Sequence, residues 1–245
     1  MPLSDYRTAL VTGASSGIGA SAVTALRERG VIVHALARRE ERLEALSEKT
    51  GCLPIILDLR NRDAVYQTLT ALDIDILVAN AGIGRGIDGL VQAAPEDIDI
   101  TIETNVQAML HVLSATLPGM IERRRGHIVN IGSVAGLYPI TSAIYGASKG
   151  AVRLLSQNLR LELKGSGIRV TEICPGRVAT EFFDASISDP ERRDKTKNAG
   201  FQALVPDDIA DAIMFALDAP WRMNVSTIEI QPTEQTFGGM SNDPL

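Results

Sequence analysis

Short apolar runs rich in β-branched residues alternate with longer segments of helical period along almost the whole chain, and this alternation restricts the fold more than any other feature. It is the pattern of a parallel sheet whose crossover connections are helices. We predict strands near Ala9–Thr12, Ile32–Ala37, Leu53–Asp58, Ile76–Asn80, His127–Ile131, Arg169–Cys174 and Thr227–Ile230. We predict helices near Ile18–Arg29, Arg39–Lys49, Arg62–Ala71, Pro95–Arg124, Tyr145–Lys164 and Pro206–Asp218. Seven strands in this order predict an α/β fold with a doubly wound parallel sheet and helices on both faces.

The length and composition fit a single domain spanning residues 1–245, because 45% hydrophobic residues suffice for a sizeable core. A doubly wound sheet binds ligands at the carboxyl ends of its strands, so the residues just after each strand are the candidate site. The least regular stretch, at about residues 181–205, contains Asp189-Pro190 and a run of charges. We interpret it as a segment that covers the substrate.

Charge and cysteine content argue against several classes of protein. A net charge of -6 does not suit a nucleic-acid binder, which needs a clustered cationic surface. Cys52 and Cys174 fall in separate apolar stretches, and their spacing suggests neither a disulfide framework nor a metal site. The sequence shows no signal-peptide pattern and no apolar stretch near the roughly 20 residues of a membrane helix. We therefore expect a cytoplasmic protein without a metal, a nucleic-acid partner or a membrane partner.

A glycine-rich turn, Thr12-Gly13-Ala14-Ser15-Ser16-Gly17-Ile18-Gly19, follows the first predicted strand and opens a helix. Glycines let the backbone approach a ligand closely, and the free N–H groups of the helix N-terminus favour a pyrophosphate. The predicted cofactor residues here are Gly13, Ser15, Ser16, Gly17, Ile18 and Gly19. A plain tight turn is one alternative, and a hydrolase with Ser15 as nucleophile is another. The hydrolase lacks a suitable histidine, since His111 lies in a predicted helix and His127 begins a strand.

The end of the second strand indicates which dinucleotide binds. Dinucleotide folds carry an acid there for the ribose hydroxyls, or an arginine for a 2′-phosphate. Here Ala37 is followed by Arg38 and Arg39, and no acid is present. Ala37 removes the repulsion of a carboxylate, and Arg38 can offer a bidentate fork to a phosphate. The sequence therefore predicts NADP(H), with two ordinary surface charges at a helix start as the alternative.

Tyr145 and Lys149 lie four residues apart at the start of a predicted helix, so both lie on one face of it. An adjacent ammonium stabilises a phenolate and lowers the pKa of the phenol, which predicts an acid/base pair. Ser133 follows the fifth strand, where its hydroxyl can hydrogen-bond a substrate oxygen. Asn105, a mediocre helix former among apolar neighbours, favours a buried role over a solvent-facing one.

Together these residues resemble the classical short-chain dehydrogenases/reductases over essentially the full length of the chain. The matching elements, all in family order, are the glycine turn, Asp58-Leu59, Asn80-Ala81-Gly82, Asn105, Ser133, Tyr145-xxx-Lys149 and Pro175-Gly176. The resemblance implies a single-domain Rossmann fold and an NADP(H)-dependent oxidoreductase that interconverts a small alcohol and its aldehyde or ketone. It implies that Tyr145 is the acid/base, that Lys149 lowers its pKa and holds the nicotinamide ribose, and that Ser133 orients the carbonyl. It also implies that Asn105 anchors a water in a proton relay through Lys149.

The same resemblance implies further cofactor contacts. Asp58 would contact the adenine, Asn80 the adenosine-side ribose region, and the Pro175-Gly176 turn with Thr180 the nicotinamide and its carboxamide. The full set of cofactor residues implied beyond the glycine turn is Arg38, Arg39, Asp58, Leu59, Asn80, Ala81, Gly82, Tyr145, Lys149, Pro175, Gly176, Val178 and Thr180.

The substrate and the assembly are less well determined by sequence. We expect Tyr138 and Arg177 to contact the substrate beside Ser133 and Tyr145, and Arg177 suits a carboxylate, although a structural salt bridge is an equal alternative. The residues from 228 to 235 are similar to those of family members that act on small hydroxy acids, so we expect a substrate of that kind.

The resemblance also implies a homo-oligomer, dimer or tetramer, built on the two longest helices. Rival functions are a catalytically silent NADP-binding sensor or scaffold of the same fold, and an epimerase or dehydratase.

Overall fold

The computed structural model describes residues 2–87, 89–187, 189–198 and 200–235. Residues 1, 88 and 236–245 of the predicted domain, and residues 188 and 199 of the predicted covering segment, lie outside the described residues. The strands of the described chain are β1 (Thr8–Thr12), β2 (Ile32–Ala37), β3 (Leu53–Ile56), β4 (Ile76–Ala79), β5 (Gly126–Ile131), β6 (Ile168–Pro175) and β7 (Thr227–Ile230). They form one sheet in the order β3-β2-β1-β4-β5-β6-β7, and every pairing in it is parallel. The predicted doubly wound sheet is confirmed.

The α-helices of the described chain are α1 (Gly17–Glu28), α2 (Glu40–Thr50), α3 (Arg62–Leu69), α4 (Pro95–Ile102), α5 (Ala108–Glu122), α6 (Ala143–Glu162), α7 (Phe182–Ser186), α8 (Pro190–Lys197) and α9 (Pro206–Asp218). Single 3-10 turns at Leu3–Asp5 and Val134–Gly136 complete the helical segments, together with a π turn at Glu103–Gln107. None of the described helices is both long and apolar enough to cross a membrane.

Alternation of side chains along the strands divides the core into two layers. In β1, Ala9 and Val11 face one cluster, which contains the buried residues of α1 and α9, while Leu10 faces a second cluster with α3, α5 and α6. Successive residues of a strand point to opposite faces, so a fully buried central strand supplies both layers at once. Helices therefore cover both faces of the sheet, as predicted.

The sequence order reverses between β1 and β4, which are neighbours in the sheet although two strands separate them in the chain. The crossovers on either side of this point run in opposite directions, so the connections diverge and leave a crevice at the carboxyl ends of the strands. Gly13 follows β1 and Asn80 follows β4. The fold therefore brings these two predicted cofactor residues together.

Three predicted segments differ from the structure. The prediction of one continuous α-helix over Pro95–Arg124 is wrong, because the π turn at Glu103–Gln107 separates α4 from α5. The apolar spacing continues through this turn, so the sequence gives no sign of it. The supposedly irregular residues 181–205 contain α7 and α8, whose charges form ion pairs: Asp184 contacts Arg193 and Lys197. The predicted third strand also extends too far, since β3 ends at Ile56.

Candidate active site

A cleft of about 420 Å³ opens at the carboxyl ends of the strands, at the point where the strand order reverses. The predicted site residues that line it are Gly13, Ser15, Ser16, Gly17, Ile18, Arg38, Arg39, Asp58, Leu59, Asn80, Ala81, Gly82, Ser133, Tyr145, Lys149, Pro175, Gly176, Arg177, Val178 and Thr180. Gly19 and Asn105 lie behind this surface, and Tyr138 lies away from it. The structure thus brings most of the predicted residues into one place.

The glycine turn is held in a conformation that other residues would strain. Gly13 has a φ of 66° and Gly17 a φ of 52°, in the left-handed region that favours glycine. At Gly19, a side chain would overlap the carbonyl oxygen of Gly13. The amide nitrogen of Asn80 donates to the carbonyl oxygens of Thr12 (3.0 Å) and Gly13 (3.3 Å), so this side chain fixes the turn. The backbone can therefore come close to a phosphate at the start of α1.

The arginines after β2 form a cationic edge beside this turn. Arg39 donates from Nε to the hydroxyl of Ser15 (3.0 Å) and from Nη2 to that of Ser16 (2.6 Å). Arg38 is exposed, and its nearest acid is Asp58, at 3.9 Å. Both guanidinium groups line the cleft, and Arg39 is tied more firmly to the turn than Arg38.

Asp58 follows β3 and carries a bidentate interaction that the sequence motifs did not predict. Arg60 donates to both of its carboxylate oxygens, with Nη2 to Oδ2 at 2.6 Å and Nε to Oδ1 at 3.1 Å. The hydrogen bond from Arg60 is the main cause that lowers the pKa of Asp58, and Arg38 adds to the effect. Asp58 is therefore a charged, oriented acceptor at the edge of the cleft.

Tyr145, in the first turn of α6, and Ser133, which follows β5, both line the cleft. Burial raises the pKa of Tyr145 to about 12, and the side chain of Ser133 opposes that rise. Contrary to the expectation from the sequence, Lys149 is not among the groups that lower the pKa of Tyr145 in the structure. The ammonium nitrogen lies 5.9 Å from the centre of the phenol ring, and burial outweighs any attraction over that distance.

Lys149 is buried on the cleft side of α6, with only 5% of its surface exposed. Its Nζ donates to the carbonyl oxygen of Ile131, at 2.9 Å, which fixes the ammonium under the end of β5. Burial lowers the pKa of Lys149 to about 8, while Cys174 and Glu172 act in the opposite direction. The side chain therefore holds its proton less tightly than an ordinary lysine does.

Asn105 is buried inside the π turn, and each polar atom of its side chain is used. Its oxygen accepts from the N–H of Ile83 at 2.8 Å, and its nitrogen donates to the carbonyl of Ile83 (2.8 Å) and the hydroxyl of Ser148 (3.0 Å). A side chain on Gly82 would come within 3.6 Å of Asn105 and of Lys149, so the two polar groups lie on the same side of that residue. Asn105 therefore joins the loop after β4 to α6. π turns inside α-helices are often found at functional sites.

Tyr138 is not among the residues that line the cleft. Its hydroxyl donates to a carboxylate oxygen of Glu229 at 3.0 Å, and Glu229 belongs to the edge strand β7. A contact between Tyr138 and the substrate stays a prediction.

Arg177 and two phenylalanines line the other wall of the cleft. The guanidinium carbon of Arg177 lies 4.8 Å from the ring centre of Phe183, and its Nη2 atom is buried and has no hydrogen-bond partner within the described chain. Burial lowers the pKa of Arg177. The ring of Phe182 lies 5.2 Å from that of Tyr145. The sequence motifs gave no sign of this contact with Tyr145.

Comparison with known proteins agrees with this geometry. The family model of the short chain dehydrogenases matches residues 7–191. The NADP-dependent 3-hydroxy acid dehydrogenase YdfG of Salmonella typhi is 42% identical over 242 residues, which cover 95% of this chain and 97% of the relative. The protein of the same name from Escherichia coli strain K12 is 38% identical over 241 residues, with the same coverage.

A solved structure, the closed form of serine dehydrogenase complexed with NADP⁺, is similar to this chain with a TM-score of 0.90 and 37% identity, and covers 97% of this chain and 100% of that one. A crystal structure of serine dehydrogenase from Escherichia coli gives a TM-score of 0.82 at 36% identity, over 94% of this chain and 100% of that one. The resemblance noted from the motifs is confirmed over nearly the whole length, and the chain belongs to the short-chain dehydrogenase family.

Proposed function

We propose that this chain is an NADP(H)-dependent oxidoreductase that interconverts a small polar alcohol and its aldehyde or ketone, with Tyr145 as the general acid/base. The observation that carries the proposal is the shared cleft. Tyr145, Ser133 and Lys149 line it together with the glycine turn and the arginines after β2. Relatives described as NADP-dependent dehydrogenases support both the reaction class and the cofactor.

The residues present suit a dinucleotide with a 2′-phosphate. Gly13 and Gly17 line the cleft without side chains, so a ligand can approach the bare backbone of the turn. The start of α1 would hold the pyrophosphate, and Arg38 with Arg39 would hold the 2′-phosphate. Lys149 and the turn after β6, with Thr180, would hold the nicotinamide end. When bound, the nicotinamide supplies or accepts the hydride.

The proton chemistry belongs to Tyr145 and its neighbours. With a pKa of about 12, the phenol is neutral at physiological pH, which is the form that donates a proton to a carbonyl oxygen. Ser133, which lines the cleft together with Tyr145, would orient that oxygen and stabilise the charge that develops on it. Lys149, whose pKa is about 8, lies on the same face of α6 and can return a proton toward Tyr145. Asn105 would hold a water molecule through which Lys149 exchanges protons with solvent.

A small hydroxy acid is the substrate class that we propose. Arg177 lines the cleft with a buried nitrogen that lacks a described partner, and a buried guanidinium N–H needs an acceptor such as a carboxylate. The names of the relatives, 3-hydroxy acid dehydrogenase and serine dehydrogenase, support the same class. Because the guanidinium packs on Phe183, its position is set by the wall that would also cover the substrate.

The test of the reaction is Tyr145→Phe, assayed through NADPH absorbance with a panel of aldehydes, ketones and oxo acids, and with hydroxy acids in reverse. Turnover should be lost while NADPH still binds. Tyr138→Phe is the matched control, since that hydroxyl points to Glu229 and its loss should leave turnover unchanged. Wild-type rates in Tyr145→Phe would refute the mechanism. Binding of NADPH without turnover of any compound by the wild type would favour the silent sensor.

The test of the substrate class is Arg177→Gln. For hydroxy acids KM should rise about tenfold or more, the order expected when a charge-assisted hydrogen bond is lost, while KM for neutral alcohols should change little. An equal change for both kinds of substrate would assign Arg177 to structure alone.

We also propose that α5 and α6 form a subunit interface. Four large apolar residues are exposed on these two helices: Leu110, Ile121, Leu154 and Leu161. Apolar patches of this kind mark contact surfaces. Sedimentation should show a dimer or tetramer, and Leu161→Asp should shift the protein toward smaller species. A monomeric wild type would remove this proposal.

A further inference from the structure

An ion pair crosses the cleft at the end where the adenosine would lie. Glu181, directly before α7, accepts from Nη1 of Arg39 at 2.8 Å and from Nη1 of Arg42 at 2.6 Å and 2.7 Å, one bond to each oxygen. Arg39 precedes α2 and Arg42 lies in its first turn. One carboxylate therefore connects two arginines of the cofactor side to the segment that begins α7.

Each nitrogen of Arg39 already has an acceptor. Nε and Nη2 donate to the hydroxyls of Ser15 and Ser16, and Nη1 donates to Glu181. The two serines thus hold the guanidinium group of Arg39 in place, and the anion that occupies its remaining nitrogen is the carboxylate of Glu181. The hydrogen bond from Arg39 is the main cause that lowers the pKa of Glu181, so the group is charged at neutral pH.

A carboxylate and a phosphate compete for the same donors, because both accept in the plane of the guanidinium group. We infer that Glu181 is an internal competitor of the 2′-phosphate, and that it lowers the affinity for NADP(H) while leaving the affinity for a dinucleotide without that phosphate unchanged. This inference rests on the proposed position of the 2′-phosphate at Arg38 and Arg39. Two anions at Arg39 would also repel each other at close range. Arg42, which contacts both oxygens of Glu181, can keep the displaced carboxylate.

The test is the affinity of the full chain for two probes, 2′,5′-ADP and 5′-AMP, by isothermal titration calorimetry. These probes differ only in the 2′-phosphate and lack the nicotinamide, so the catalytic end does not contribute. Glu181→Gln should tighten binding of 2′,5′-ADP by about fivefold, which corresponds to about 1 kcal/mol for an exposed ion pair, and should not change binding of 5′-AMP.

The matched control is Asp184→Asn, which removes one negative charge from α7, where the partners are Arg193 and Lys197 rather than cofactor-side arginines. It should change the affinity for 2′,5′-ADP by less than about twofold, since Asp184 forms its ion pairs with Arg193 and Lys197 and an exposed charge that is not paired with the phosphate-binding arginines is screened by salt. Unchanged or weaker binding of 2′,5′-ADP by Glu181→Gln would overturn the inference, and so would an equal gain in the control.

Arg39→Gln separates this inference from the proposed function. In that background Glu181→Gln should no longer tighten 2′,5′-ADP, and a full fivefold gain there would show that the two residues do not compete at Arg39. If neither Arg38→Ala nor Arg39→Gln weakens 2′,5′-ADP, the proposed phosphate site is wrong. If Arg38→Ala and Arg39→Gln each weaken binding of 2′,5′-ADP while Glu181→Gln has no effect, the proposed phosphate site is supported and only the competition by Glu181 is refuted.

Discussion

Replacing Lys149 with methionine should stabilise the folded chain at neutral pH and abolish turnover. The ammonium is buried, and burial lowers its pKa from the ordinary value of 10.5 to about 8. That difference corresponds to about 3 kcal/mol of unfavourable free energy in the folded state when the group is charged. Methionine removes this penalty and fills a similar volume, but leaves the carbonyl of Ile131 without its donor, which costs about 1 kcal/mol. The net gain should be about 2 kcal/mol.

The free energy of unfolding should depend on pH in a direction that follows from the pKa of Lys149. Below a pH of about 8 both the folded and the unfolded chain keep the proton on Lys149, so the folded state carries the full penalty. Between about 8 and 10.5 the folded state has released a proton that the unfolded state still binds, so the free energy of unfolding rises with pH. The wild type should therefore gain about 2 kcal/mol relative to Lys149→Met between pH ~7 and ~9.5.

Urea unfolding of both proteins at several pH values within that window measures the difference. Lys164→Met is the control, because this lysine is exposed just beyond α6 and its replacement should change stability by less than about 0.5 kcal/mol at every pH. A Lys149→Met protein that is less stable than the wild type at neutral pH would refute the reasoning, as would a difference that does not vary with pH.

Three further changes test the rest of the site. Gly19→Ala places a methyl group against the carbonyl of Gly13, so NADPH binding by fluorescence titration should weaken at least tenfold, and unchanged binding would contradict the account of the turn. Asn105→Ala removes three hydrogen bonds and should lower the free energy of urea unfolding by about 3 kcal/mol, whereas a loss below about 0.5 kcal/mol would deny its structural role. Phe182→Ala exposes the side of the Tyr145 ring that Phe182 covers, so the pKa of Tyr145 should fall. The pH above which the reduction rate declines should then be lower than in the wild type. If this pH does not change, groups other than Phe182 cause the burial of Tyr145.

The parts of the site that could be predicted from sequence are those that the sheet itself brings together. Gly13 and Asn80 follow neighbouring parallel strands, and the carboxyl ends of such strands share one edge. Tyr145 and Lys149 share one face of α6 because their spacing is close to one helical turn. The order of strands was enough for the first pair, and the helical spacing was enough for the second.

The parts that could not be predicted depend on contacts between distant segments. Glu181 and Arg42 pair across 139 positions, and neither belongs to a sequence motif. The direction of Tyr138 is decided by Glu229 on the edge strand, which the local sequence around Tyr138 cannot reveal. The π turn at Asn105 is fixed by hydrogen bonds to the loop after β4, although the spacing of apolar residues there remains helical.

Burial acts in opposite directions on the two groups that would exchange the proton. It raises the pKa of Tyr145 to about 12 and lowers that of Lys149 to about 8, so the phenol keeps its proton at neutral pH and the ammonium is the readier donor. Carbonyl reduction needs the neutral phenol, whereas alcohol oxidation needs the phenolate. We therefore expect the oxidation rate to rise with pH over the range from about 7 to 10, and the reduction rate to stay level or fall. Initial rates in both directions across this range, at saturating substrate, measure the two profiles. An oxidation rate that does not change with pH would show that the proton leaves through a group other than Tyr145.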